Sequence, residues 1–198
     1  MMQHKVKVTV IDKKLYPELQ AQYCSDPNSG ACSCYHVGDE FIFERYGTAD
    51  DFWHMGLNTL KQTVHRAEAT AGGTAFPHCS EAWDAISRYI YTGLQGGSIM
   101  RGWMRDERVM IACCSDGTRP VIFKIERMDY KAVYVEGEGL CGPDWESRVT
   151  EALKGIGAVE TVIFREDYAE VYLTADVADE VLKETVEGCG GVKVLKVE

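Results

Sequence analysis

Several features are missing from this sequence, and each absence removes a class of function. No run of about 18 apolar residues occurs, so no membrane-spanning helix is expected. The opening MMQHKVKVTVID has neither the apolar stretch nor the small-residue cleavage site of a secretory signal, which makes a cytoplasmic location the expectation. Positive charge is scarce: 21 Lys and Arg stand against 31 Asp and Glu. With no basic stripe, neither nucleic acid nor an anionic membrane surface is an expected partner. There is no G-x-x-x-x-G-K-[ST] phosphate loop and no G-x-S-x-G nucleophile turn. EGEGLCG, ending at Gly142, has the G-x-G-x-x-G spacing at Gly137, Gly139 and Gly142, but it sets acids where a pyrophosphate would lie and is not expected to bind a dinucleotide. The paired acids Asp39-Glu40, Asp50-Asp51 and Asp106-Glu107 fall at element boundaries and read as helix starts or solvated residues rather than an acid/base pair.

Cysteine, in contrast, is plentiful. Eight cysteines in a chain expected in a reducing compartment are thiols or metal ligands rather than a disulfide framework. Cysteine is also among the most often buried residue types, so about half of them are expected to be inert packing residues.

Charge and pattern both divide the chain near residue 129. Residues 1–128 carry 14 Lys and Arg against 15 Asp and Glu, whereas residues 129–198 carry 7 against 16. The acid of the second part reads as a solvated surface. An α+β fold in two domains, 1–128 and 129–198, is expected. In the second, strands at KAVYVEG, AVETVIFRE, YAEVYLTA and GVKVLKV alternate with helices at PDWESRVTEALKGIG and DVADEVLKETVEGCGG. Asp144 and Asp176 are the candidate helix caps. The order βαββαβ is the ferredoxin-like, split βαβ arrangement, and Trp145, Val149, Leu153, Val177, Val181 and Leu182 should face its sheet.

The first domain is an irregular α+β unit. KVKVTVID and GDEFIFERYG read as strands, and KKLYPELQAQYC as a short helix interrupted at Pro17. SDPNSGACSC is a loop and residues 51–69 a helical stretch. SEAWDAISRYIYTGL is a helix with Ser80 as its N-cap and Trp83, Ile86, Tyr89 and Ile90 at helical spacing. ERVMIACCSDGTRPVIFKIER is a β-hairpin.

The cysteines fall around these elements. A two-residue turn at Asp116-Gly117 would set Cys114 opposite Arg119 and Ala112 opposite Val121. Cys114 then packs with Met110 and Val121, while Cys113 points the other way, toward a site. Cys79 stands at a helix start, where unpaired N–H groups favour a thiolate, and His78 is beside it to hold a proton or ligate. A buried, unreactive Cys79 is the equal alternative. Cys32 and Cys34 form a C-x-C in a loop, followed by His36 and preceded by Cys24. This is a weak zinc signal without a C-x2-C pair, yet the cysteine count suffices for an iron–sulfur cluster. His54 and His65 are eleven apart and form no i, i+4 metal pair.

KVKVTVID, the C-x-x-x-G-D-E-F of Cys34 to Phe41, the C-x-x-AW-x-x-I of Cys79 to Ile86, and CCSDGTRPVIFKIER together resemble an uncharacterised family of small prokaryotic cysteine-containing proteins. The resemblance spans most of residues 4–127, interrupted around 48–75. It implies no activity, but it implies that Cys34, Cys79, Cys113 and Cys114 belong together. EGEGLCGPDWESRVTEALKGIGAVETVIF resembles a heavy-metal-associated domain, whose M-x-C-x-x-C loop binds a soft ion. Here Cys141 is followed by Asp144 or Trp145 where the second thiol stands, so Cu(I) binding by an isolated C-terminal domain should be poor, and a structural or homodimer-forming role is expected.

Three functions follow. The first is a thiol or metal site in the N-terminal domain built from Cys34, Cys79, Cys113, Cys114, Cys32 and His78, with zinc or an iron–sulfur cluster as its cofactor if it holds metal. The second is a non-catalytic module binding a small molecule in a pocket of Trp53, Trp83, Trp103 and Tyr89. The third is a soft-metal chaperone or sensor using Cys141 across a dimer.

Overall fold

A computed structural model describes residues 1–45, 60–65, 79–137 and 142–198. The fold is α+β, with eight strands and four helices among the described residues. The chain forms two compact units, Lys5–Arg127 and Met128–Glu198 with Met1–His4.

In the first unit, β1 (Gln3–Lys13) pairs antiparallel with β2 (Glu40–Arg45), and β2 with β3 (Leu60–His65). On the other side of β1 lies the first half of β5 (Val121–Glu136), which in turn pairs with β4 (Val109–Cys113). Period-two alternation decides which residues face inward. Val6, Val8 and Val10 from β1, Phe41 and Phe43 from β2, and Val121, Phe123 and Ile125 from β5 form one buried surface. Helix α2 (Ser80–Leu94) covers it with Ala82, Ile86, Ile90 and Leu94, a spacing of four that keeps one helical stripe inward. The opposite strand face is laced with ion pairs, such as Lys5 with Glu44 and Lys7 with Glu126.

Three expectations change here. Residues 60–65 of the stretch expected to be helical are a strand, because pairing with β2 overrides the helical spacing of the apolar residues. Helix α1 (Pro17–Tyr23) begins at Pro17 rather than being interrupted there, as proline's missing N–H costs nothing in a first turn. The N-cap of α2 is Cys79, not Ser80.

The hairpin register also differs. Ala112 pairs with Phe123 and Met110 with Ile125, two residues from the expected alignment. Gly117 does not adopt the positive φ that a two-residue turn of this kind requires. Instead, Asp116 accepts hydrogen bonds from the N–H groups of Thr118 and Arg119, from the Thr118 hydroxyl and from the Arg119 guanidinium, organising a longer loop. A slip of two leaves every side chain on its original face. Cys114 is therefore still buried and Cys113 still exposed.

In the second unit the rest of β5 is followed by α3 (Pro143–Lys154), β6 (Val159–Phe164), β7 (Tyr168–Leu173), α4 (Asp179–Gly188) and β8 (Lys193–Val197). The strand order β8-β5-β7-β6, antiparallel throughout, is the ferredoxin-like βαββαβ arrangement. Trp145, Val149, Leu153, Val177 and Leu182 are buried in its core with Val133, Val135, Val171 and Leu173. Val181 is 43% exposed instead, one position off the inward stripe of α4. Gly142 and Ala178, not Asp144 and Asp176, hold the N-cap positions. Asp176 and Asp179 both pair with Lys131, whose ammonium also donates to the Val177 carbonyl at 2.6 Å and ties the start of α4 to β5.

Gly137 follows β5 where another stretch of backbone passes close by. A Cβ there would collide with the Gly191 carbonyl oxygen and lie 3.0 Å from Val192 Cα. Backbone on both sides of the contact cannot yield as a side-chain tip would. Gly137→Ala should therefore cost about 1–3 kcal/mol in chemical denaturation, whereas Gly188→Ala, whose Cβ meets nothing within 4 Å, should cost nothing of that kind.

Candidate functional site

Cys32, Cys34 and Cys79 are partly buried against the N-terminal core, of which Cys114 and Tyr35 are members. Each arrives from a different element. Cys79 caps α2, Cys114 continues β4, and Cys32 and Cys34 lie on the loop between α1 and β2. The backbone N–H of Val121 donates to the Cys114 sulfur at 3.3 Å, fixing that side chain on the inner face.

At the centre stands Tyr35, 1% exposed, with its ring edge-on to Phe41 and Phe123 at 6.0 and 5.4 Å between centroids. Burial, and then the neighbouring Cys79, Cys34, Cys32 and Cys114, hold its hydroxyl proton far more tightly than in an ordinary phenol. Cys34 is partly buried against the same core. Burial first, then the proximity of Cys32 and Cys79 and a hydrogen bond with Cys32, push its thiol pKa up, and the Arg119 guanidinium opposes the shift.

The loop that carries the C-x-C is anchored by buried polar groups. Gln20, 2% exposed, accepts from Gly30 N–H at 3.1 Å and donates to Gly30 C=O at 3.0 Å, so one side-chain amide satisfies both polar groups of a single residue. Gly30 has φ of +71°, a left-handed conformation that glycine adopts without a Cβ penalty. The same Gln20 amide reaches the Thr118 hydroxyl at 3.5 Å, joining this loop to the one after Cys114. The Lys13 ammonium donates to the carbonyls of Cys32 and Tyr35 at 2.5 and 2.7 Å. Asp39, fully buried, accepts from His36 N–H at 2.8 Å and closes the turn into β2.

The raised proton affinity of Cys34 carries a sign that can be tested. A pKa higher in the folded than in the unfolded chain gives stability that is complete below the ordinary thiol value of 9.0 and lost as pH rises through the folded value. Urea midpoints measured from pH 8 upward should fall above about pH 9, and the fall should be smaller in Cys34→Ala.

Of the residues expected at a site, Cys114 is part of the N-terminal core, and Cys32, Cys34 and Cys79 are partly buried against that core. Cys113 is not: it is exposed on the opposite face of β4 from Cys114, where period-two alternation puts it. No disulfide joins the described cysteines. His78, His54, Trp53 and Cys141 lie outside the described residues. The expected aromatic pocket does not assemble from its described members. Trp103 is 77% exposed, Trp83 packs against Phe43 and Tyr91, and Tyr89 lies under the Arg88 guanidinium. Among the described residues no three His, Cys, Asp or Glu side chains are arranged to hold a metal ion, and no helix is long and apolar enough to cross a membrane.

Tyr35, Lys13, Gln20 and Arg119 were not foreseen. Tyr35 carried a usable signal, an aromatic residue directly after Cys34 and before a strand. Gln20 carried none, since a glutamine in a short polar helix is ordinarily a surface residue. No family model matches the chain, and neither a curated protein nor a solved structure matches it.

Proposed function

We propose that the N-terminal unit is a thiol site that cycles between dithiol and disulfide, with Cys34 as the shared member and Cys32 or Cys79 as its partner. The observation that carries this reading is that Cys32, Cys34 and Cys79 pack against the one core that holds Tyr35 and Cys114, with Cys34 hydrogen-bonded to Cys32. A disulfide needs two sulfurs, whereas a zinc or iron–sulfur centre needs about four ligands in a fixed geometry. The described thiols answer the first requirement more directly than the second. A cytoplasmic setting suits such a site, because thiols there are kept reduced and oxidise transiently. For the C-terminal unit the same reading assigns a structural role, with homodimer formation as its extension.

The chemistry is thiol–disulfide exchange. A protein thiolate attacks one sulfur of a small disulfide and forms a mixed disulfide, releasing one small thiol. A second protein thiolate then attacks the mixed disulfide and releases the other. Two electrons pass from the protein dithiol to the small disulfide, and the two protein thiol protons end on the two released thiols. The test is equilibration in buffers of graded reduced and oxidised glutathione, followed by acid quench, alkylation and peptide mapping. An intramolecular disulfide containing Cys34 is expected, with Cys113 still alkylated. If Cys34 stays alkylated at every ratio, the proposal is wrong.

A further inference from the structure

Trp103 is 77% exposed, an unusual place for so large an apolar side chain, midway along an arch that runs from Ile99 to Val109. The arch is held in shape. Ile99 is buried in the N-terminal core, and its N–H donates to the Glu107 carbonyl at 2.8 Å. The Arg127 guanidinium donates to the carbonyls of Gly96 and Gly97 at 2.8 and 2.6 Å and pins the entry. Gly102, with φ of +76°, makes the turn that the Trp103 N–H closes on the Met100 carbonyl at 3.4 Å. Arg101 and Arg105 flank Trp103 in sequence, and Arg108 and Arg127 stand at the base, four arginines against the two carboxylates of Asp106 and Glu107. Arg101 pairs with Glu107 at 3.3 Å and Arg108 with Asp106 at 2.8 Å, whereas Arg105 is exposed without a partner among the described residues. Glu126, beside Arg127, faces Lys7 and Lys124.

The C-terminal unit offers the opposite chemistry. Between the start of α3 and the β6–β7 turn lies an open cavity of about 560 Å³, lined by Phe164 and Tyr168 with Glu146, Arg165, Glu166 and Asp167. Buried Trp145 backs Phe164 edge-on at 5.5 Å between centroids, and Tyr134 packs on Tyr168 at 5.0 Å, so both aromatic walls are supported. Charge at the cavity is negative even with its ion pairs counted. Arg165 is bonded to Glu170, and Lys196, over the Tyr134 ring, to Glu198 at 2.7 Å. With Glu146, Glu166 and Asp167, five carboxylates stand against these two cations. The surrounding unit carries the same sign, with 7 Lys and Arg against 16 Asp and Glu over residues 129–198.

We propose that the Trp103 arch of one copy of the chain docks in this cavity on a second copy. The indole lies against Phe164 and Tyr168, and Arg101 and Arg105 meet the carboxylates of Glu146, Glu166 and Asp167. Tryptophan and arginine are the side chains that most often anchor protein contacts, and an arch already ordered loses little freedom on docking. Trp103 is exposed in its own chain, so it does not fill its own cavity. Every copy carries one knob and one socket, which makes the contact head-to-tail. The inference rests on the homodimer reading given above for the C-terminal unit and is independent of the thiol chemistry.

The test is sedimentation velocity of the full chain with a reducing agent present, from about 1 to 100 μM. Association that rises with concentration is expected at low ionic strength, and it should weaken in about 1 M salt, where the Debye length is roughly 3 Å. Trp103→Ala removes the knob, and Glu166→Lys with Asp167→Lys reverses the socket. All three positions are exposed, so circular dichroism should be unchanged. Each variant alone should associate at least about tenfold more weakly. An equimolar mixture of the two should recover a dimer of one chain of each kind that grows no further, because one brings an intact socket and the other an intact arch. Association that either variant retains in full, or that the mixture does not restore, would overturn the contact and leave the homodimer reading standing. A single chain at every concentration would remove both.

Discussion

Gln20→Ala is expected to lower the stability of the N-terminal unit by about 2–3 kcal/mol and to loosen the loop that carries Cys32 and Cys34. The side chain is 2% exposed and makes two hydrogen bonds to Gly30 and a longer one to Thr118. Alanine removes the donor and acceptor together and leaves both polar groups of Gly30 without their partner. Gly30 is itself partly accessible, so water recovers some of the loss. This places the expected cost below the upper end of the range for fully buried groups. The check is a urea denaturation midpoint combined with alkylation rates at Cys32 and Cys34, which should rise in the variant as the loop opens. A midpoint within about 0.5 kcal/mol of the parent would show that Gln20 does not hold the loop.

The second large effect belongs to Cys34. Its thiol is hydrogen-bonded to Cys32 and feels Cys79, and in the proposed cycle Cys34→Ser removes the sulfur common to either disulfide. The first exchange step can still occur at a remaining thiol, but the mixed disulfide then lacks its near neighbour. Intramolecular attack owes its speed to effective concentrations far above any attainable in solution, so release of the second small thiol should slow by at least about a hundredfold. Stopped-flow detection of the two releases would separate the steps. Cys113→Ser should leave both unchanged, because Cys113 is on the other face of β4. Equal slowing in the two variants would mean that exchange runs through the exposed thiol.

Much of this architecture is written in short-range pattern. The alternation in KVKVTVID and the spacing of Trp145, Val149 and Leu153 each follow from burying one face, and they suffice for the α+β class and the ferredoxin-like order. Where two periods compete, local reading fails. Leu60 and Val64 are four apart, as on a helix, yet residues 60–65 pair as a strand with β2. The hairpin turn fails for a related reason. Asp116-Gly117 has the composition of a two-residue turn, but the Asp116 carboxylate has closer work capping Thr118 and Arg119. Pro120, with no N–H, offers the ladder no donor.

The site was legible in part for the same reasons. Which of Cys113 and Cys114 faces inward depends only on parity, and parity survives a register slip of two. That Cys32 and Cys34 pack against the core that holds Cys114 depends on how loop 24–39 folds back over the sheet. Contacts by Gln20 and Lys13, ten and nineteen residues along the chain, and the local bond from His36 to Asp39 decide that path, and none of them has a periodic signature.

The most direct measurement is titration of the reduced protein with phenylarsine oxide, whose trivalent arsenic closes a stable ring with two neighbouring thiols and releases water. It reports sulfur proximity in the native state without any redox step. The account predicts tight binding of one equivalent by the parent chain, full retention in Cys113→Ser and marked weakening in Cys34→Ser. Binding that survives in Cys34→Ser and disappears in Cys113→Ser would contradict it.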